Sequence, residues 1–311
     1  MKEKLKPMSQ AFVKNALGLD GIIEALTRTA PVPPIPPGPD PLDDPENTVF
    51  VMRDGTKKVL THIEDPQWDD EDAPNYDKML LYFDNSETPI DESLYLDVIG
   101  LKLGTEFEKY QYNSSGVTIM HPTNSSDGPW IGCDFSGLQW IKFEHIGGNE
   151  QIYADGLTAL TSVVFPPSAN GNLMLNGDSS LSSINHPNGS LFFDDYAFDG
   201  CSNLTAVNFP SSGHVKTGDF TQEYNIGFPE TVESITIPAN LTFDFGDNTF
   251  AAQKHIYFEG RDMNTVKGLP GYATGGMFGF VAETPSEYGD PNPKMTLHCS
   301  DGDIPLYEFI P

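Results

Sequence analysis

The chain is poor in basic residues: 17 Lys and Arg stand against 45 Asp and Glu, a formal net charge of −28 over 311 residues. That balance argues against nucleic-acid binding, which needs a basic footprint, and against docking on anionic lipid. It favours solubility and repels acidic partners. An acidic surface recruits Ca²⁺ in principle, but composition alone does not build a site. Cysteine is equally scarce. Cys133, Cys201 and Cys299 lie far apart with no CxxC pair, so neither disulfide stapling nor a zinc site is expected. No apolar run approaches the ~18 residues of a membrane-spanning helix. The basic start, Met1 to Pro7, is followed by no signal-peptide hydrophobic region.

Catalytic signatures are absent as well. The chain holds no G-x-S-x-G, Walker, dinucleotide or H-E-x-x-H pattern. His62, His121, His145, His186, His214, His255 and His298 are scattered. Carboxylate pairs such as Asp194-Asp195, or the run Asp69-Asp70-Glu71-Asp72, would serve a glycosidase only if opposed across a cleft. Asp244, Asp247, Asp301 and Asp303 fit turns or solvent-facing charges. The sequence therefore predicts no catalytic residue, no metal ligand and no cofactor.

What the chain does contain is glycine (29), proline (26) and one repeated phrase. Leu160-Thr161-Ser162-Val163-Val164-Phe165-Pro166 is the clearest copy, and Leu204 to Pro210 the second. Leu181 to Pro187 and Val232 to Pro238 are weaker copies, Leu138 to Phe143 opens the series, and Ile256-Tyr257-Phe258 carries its tail. The central anchors Ile141, Val163, Ile184, Val207, Ile235 and Ile256 are separated by 22, 21, 23, 28 and 21 residues. A period of this size predicts a solenoid. Within each phrase the alternation places two apolar side chains on one face of a short strand, as with Val163 and Phe165, Val207 and Phe209, or Ile235 and Ile237. Proline directly afterwards ends the ladder, because it has no N–H. The leading leucine, as at Leu204, points into the same core from the turn. Gly156-Leu157-Thr158 and Gly200-Cys201-Ser202-Asn203 supply turns. His186 stands where Phe165 and Phe209 stand in their copies, which predicts a packed, hydrogen-bonded ring. A β-sandwich whose strands happen to repeat is the competing fold.

Ala197-Phe198-Asp199-Gly200-Cys201-Ser202-Asn203-Leu204-Thr205-Ala206-Val207-Asn208-Phe209-Pro210 resembles the BspA-type leucine-rich repeat, with its AF-x-x-C-x-x-L-x-x-V-x-F/I-P pattern. Other copies replace the first half, as in Tyr153-Ala154-Asp155-Gly156 and Gly177-Asp178-Ser179-Ser180, and Met295 to Gly302 resembles the closing strand of such arrays. The resemblance covers roughly residues 130–302. It implies a mainly β leucine-rich-repeat solenoid of short parallel strands, with Cys201 in a buried turn position as a small hydrophobe. Members are mostly bacterial surface or secreted proteins that bind host or partner proteins, and related repeats occur in phage and protist proteins.

The remaining chain divides by composition. Residues 1–30 form an amphipathic anchor segment with Phe12, Ala16 and Leu19, then Ile22, Ile23 and Leu26, at helical spacing. It has no core of its own and suits a protein partner engaged through residues 1–45. Residues 31–47 form a proline-rich linker, a semi-rigid polyproline II spacer. Residues 48–129 form a β-rich cap, with a hairpin around Asp54-Gly55, an acidic loop holding Trp68, strands at 78–83 and 93–99, and a degenerate first repeat near Val117 to Met120. Residues 130–302 are the solenoid, with insertions at 211–227 and 259–294, and 303–311 is a tail. The insertions are expected as exposed contact loops, with Trp68, Tyr224 and an adaptable aromatic stretch, Tyr272, Phe278 and Phe280, as partner contacts.

These features favour a non-enzymatic structural or adhesive protein. The first setting is a phage virion component, assembled in the host cytoplasm, attached through its amino terminus and presenting the solenoid to a host-surface protein or glycan. A bacterial cell-surface or secreted leucine-rich-repeat adhesin is the second, and a β-solenoid carbohydrate hydrolase the third.

Overall fold

The computed structural model describes residues 40–64, 72, 80–105, 117–120, 135–147, 151–193, 197–217, 227–270, 272, 276–280 and 292–307. The chain divides into two compact units, Met1–Asp43 and Asp44–Pro311. In the first, the described residues form a turn in which the Asp40 side chain accepts the Leu42 N–H at 3.0 Å. The anchor positions Phe12, Leu19, Ile22, Ile23 and Leu26, and most of the proline-rich linker, lie outside the described residues.

The second unit is mainly β with mixed sheets. It opens with the expected hairpin, β1 (Val49–Met52) against β2 (Lys57–Glu64), antiparallel around Gly55 at φ +86°. The Asp54 carboxylate accepts the Thr56 N–H at 2.8 Å, and hydrogen bonding from Thr56 holds that carboxyl below its ordinary range. Strand β3 (Leu80–Phe83) pairs antiparallel with β2. The strand expected at 93–99 is displaced. Glu92–Asp97 forms a 3₁₀ turn instead, capped by Asp91, whose side chain accepts from the Ser93 N–H at 2.9 Å and the Ser93 hydroxyl at 2.6 Å. A short polar side chain bonding its own backbone competes with a ladder in this way. The strand follows as β4 (Val98–Leu103).

Strand β4 joins two kinds of pairing. It runs antiparallel to β1 and parallel to β6 (Trp140–Phe143), and β6 runs parallel to β8 (Ser162–Val164). The parallel ladder of anchors thus begins at Leu101, which sits opposite Ile141, which sits opposite Val163. A second ladder continues the anchors through β10 (Ser183–Asn185), β12 (Ala206–Asn208), β14 (Ser234–Ile237), β16 (His255–Phe258) and β17 (Met295–Cys299). Ile184 faces Val207, Ile235 faces Ile256, and Ile256 faces Leu297, all parallel. Strand β18 (Gly302–Leu306) closes the sheet antiparallel to β17.

Intervening strands form a further set. Strands β5 (Val117–Met120), β7 (Gln151–Asp155), β9 (Gly171–Met174) and β11 (Leu191–Phe193) make a four-stranded parallel sheet. Strands β13 (Ser212–Lys216) and β15 (Asn240–Asp244) pair in parallel, linked back by the Gly189–Val215 bridge. From β5 to β16, strands therefore alternate between the anchor ladders and this second series. The strand near Val117 exists, but it belongs to the second series rather than the anchor ladder.

A continuous core runs from Phe50 to Leu306. Ile141, Ile184, Leu204, Ile237 and Ile256 are fully buried; Val163, Val207, Phe209 and Ile235 are nearly so, and Phe165 is partly buried against them. The turns that feed the strands stack on one another. Gly156, Gly177 and Gly200 all take positive φ, near +70°, and Gly156 N–H donates to Asn176 O while Gly177 N–H donates to Asp199 O, each at 2.6 Å. Only glycine adopts that conformation without a Cβ penalty.

Both insertions depart from the exposed-loop expectation where they are described. Residues 212–216 are strand β13 and not a loop, with Val215 fully buried and Ser212, Gly213, His214 and Lys216 exposed as expected. In the second, helix α1 (Met263–Lys267) and the 3₁₀ turn Gly276–Phe278 pack inward through Val266, Met277 and Phe278. Alternating hydrophobic positions were too few there to signal burial from sequence.

Candidate functional site

From β6 onward, each short strand of the anchor ladder buries its central residue and turns its neighbours outward, because strand side chains alternate. Parallel, in-register pairing then lines the outward residues into rows. One row runs Asn185, Asn208, Thr236, Tyr257 and His298, reaching Asp303 on β18. Asn185, Asn208, Thr236 and Tyr257 are all exposed, Tyr257 by 42%. The Asn208 amide donates to the Asn185 side-chain carbonyl at 3.0 Å.

The end of this row is a cluster of rings and a carboxylate. Tyr257 and His298 stack with centroids 4.3 Å apart and planes 13° from parallel. His298 Nε2 lies 3.1 Å from Nδ1 of His255, and His298 Nδ1 lies 2.9 Å from Oδ1 of Asp303. The aspartate is 62% exposed and the histidine ring 25%. Beside this cluster, Lys254 pairs with Glu233; the contact holds the Glu233 carboxyl below its usual range and the Lys254 amine above it. Asp303, expected as a turn or solvent charge, is thus the partner of a histidine. Asp301 lies in the turn between β17 and β18, as expected, and also accepts the Met263 N–H at 2.7 Å from 38 residues away.

A concavity of 430 Å³ lies beside the first hairpin and is lined by Met52, Arg53, Asp54, Thr56, Lys58, Leu94 and Asp97. Arg53 Nε and Asp97 Oδ1 meet across it at 3.3 Å, both well exposed. Its charges neutralise each other, and its apolar lining is Met52, which is buried, and Leu94 at the rim.

The sequence-predicted contacts fall differently. Trp68 and Tyr224 lie outside the described residues. Tyr272 and Phe278 are buried, and Phe280 is partly buried against the core. The aromatic stretch is therefore a packing element, not an exposed adaptable loop, and burial raises the Tyr272 phenol above its ordinary pKa. His186 is the packed ring foreseen: it is buried, sits 5.3 Å from the Phe209 ring, and has Nδ1 2.7 Å from Pro187 O. Cys201 is buried and its thiol donates to Leu175 O at 2.8 Å. Cys133 lies outside the described residues.

Among the described residues there is no group of three or more His, Cys, Asp and Glu arranged to hold a metal, and no helix long and apolar enough to cross a membrane. No known protein family, curated protein or solved structure matches the chain.

Proposed function

We propose that this chain is a non-enzymatic structural or adhesive protein, a leucine-rich-repeat solenoid carried on a virion by its amino-terminal unit and presented for protein or glycan binding. The observation that carries the reading is the register itself. Anchors 21 to 23 residues apart in sequence, Ile141 with Val163, Ile184 with Val207 and Ile235 with Ile256, sit directly opposite one another in parallel ladders. A ladder of this kind buries one face of every strand and leaves the other as a long, regular surface.

On this reading the recognition surface is the outward row from Asn185 to His298, in place of the insertion loops. Amide, hydroxyl and aromatic groups on a rigid sheet suit a ligand that is stacked on a ring and hydrogen-bonded at its edges. The division at Asp43/Asp44 supports separate attachment and display parts. A spacer of about fifteen residues at roughly 3.1 Å each spans about 45 Å when extended.

Deleting residues 1–43 tests the attachment. The truncated protein is expected to keep its far-ultraviolet circular dichroism and cooperative melting, and to fail to co-sediment with the parent particle. Full retention of the truncated chain on the particle would place attachment in the repeat unit and overturn the anchor.

A further inference from the structure

We propose that His255 and His298 form a two-histidine site for a first-row divalent metal ion on the outward face of the sheet. The inference stands apart from the display reading, since it rests on four side chains and their spacing.

The two nitrogens that face each other, Nδ1 of His255 and Nε2 of His298, are 3.1 Å apart. An ion that binds two imidazole nitrogens at about 2.0–2.1 Å, with its bonds near a right angle, holds those nitrogens roughly 3 Å apart. The pair therefore already has the separation of two neighbouring ligands on one ion. Loading breaks the hydrogen bond between the rings and needs each ring to turn until the two lone pairs converge on the ion.

Asp303 decides the tautomer. Its Oδ1 lies 2.9 Å from Nδ1 of His298, so the carboxylate accepts a proton held on Nδ1 and leaves the Nε2 lone pair directed at His255. A carboxylate behind a histidine orients the ring and raises its basicity as a ligand. Tyr257, stacked on His298 at 4.3 Å, fixes the ring plane from the side. In the metal-free protein His255 Nδ1–H donates to His298 Nε2. On binding, His255 moves its proton from Nδ1 to Nε2 by exchange with solvent, and both nitrogens give their lone pairs to the ion with no net proton released.

The donor set also selects the ion. Two neutral imidazoles favour Cu²⁺, then Ni²⁺ and Zn²⁺. Ca²⁺ and Mg²⁺ require oxygen ligands and are disfavoured. The exposure of His298 and Tyr257 leaves room for water in the remaining positions. The formal charge of −28 raises the local concentration of any cation. Sequence gave no hint of the site, because the two histidines are 43 residues apart and meet only through the parallel β16–β17 pairing.

The test is titration of the full chain with copper(II) sulfate, followed by calorimetry and electron spin-echo spectroscopy. One ion per chain is expected, with two imidazole nitrogens in the echo modulation. His255→Ala and His298→Ala should each weaken binding more than about tenfold, and Asp303→Asn by about tenfold. A wild-type affinity in both histidine variants, or a spectrum from the unaltered chain showing fewer than two imidazoles, overturns the proposal. The imidazole count is made on the unaltered protein and so holds even if a variant fails to fold.

Discussion

Asp178, fully buried, accepts the backbone N–H of Leu157 through Oδ1 at 2.8 Å, 21 residues away in sequence. It follows Gly177 just as Leu157 follows Gly156 and Cys201 follows Gly200, so three successive turns place a leucine, an aspartate and a cysteine at one inward position. The polar members of the series bond backbone groups: Cys201 serves Leu175 O, and Asp178 serves Leu157 N–H. Short polar side chains at this position therefore stitch neighbouring turns together.

Asp178→Ala removes an acceptor and leaves a buried N–H without it, at a cost of about 1–3 kcal/mol. Asp178→Asn retains an oxygen at Oδ1 and should lose less. Urea unfolding of the two variants measures both. Equal stability of Asp178→Ala and wild type would show that the Leu157 amide finds another partner.

The alternation within each phrase is testable by contrast. Ile184→Ala and Ile256→Ala remove side chains with no exposed surface and should each cost roughly 2–5 kcal/mol. Asn208→Ala, on the exposed row, should stay within about 0.5 kcal/mol of wild type. Similar losses at all three positions would contradict the assignment of inward and outward faces.

His186 makes stability depend on pH. Burial pushes its imidazole down to about 4, whereas an unfolded histidine titrates near 6.5. Between those values the unfolded chain holds the proton and the folded chain does not. The contribution is therefore complete above about pH 6.5 and is lost as pH falls toward 4, by roughly 3 kcal/mol in total. His186→Phe copies the residue found at Phe165 and Phe209 and removes this loss. Denaturation midpoints at pH 7 and pH 4.5 should fall further in wild type than in the variant. Parallel falls in the two proteins would mean that the acid sensitivity lies in the carboxylates.

Much of the ladder was legible because its signal is local. Ile184 and Ile235 each sit between two polar neighbours, and Val163 and Val207 each have one, in phrases that end at or near proline, and the spacing of the phrases repeats. The start of the ladder was not legible. Leu101 lies 40 residues before Ile141, outside any repeat, and only pairing with β6 reveals it as the first member. The strand expected from Ser93 failed for a local reason, the Asp91 cap, which a pattern of apolar alternation does not register. Tyr272, Phe278 and Phe280 misled because glycine-rich aromatic sequence looks alike whether its rings are solvated or packed on a core.

By itself, then, the sequence determined the period, the inward residue of each repeated phrase, the turn glycines and the packed His186, since all of these follow from the 2-residue alternation of a strand and from chemistry within one phrase. Tertiary structure alone decided the second series of strands, the burial of Phe278, and the meeting of His255, His298, Tyr257 and Asp303. Those depend on which segments lie side by side. Parallel pairing brings together residues tens of positions apart, and no local pattern encodes which neighbour a side chain will meet.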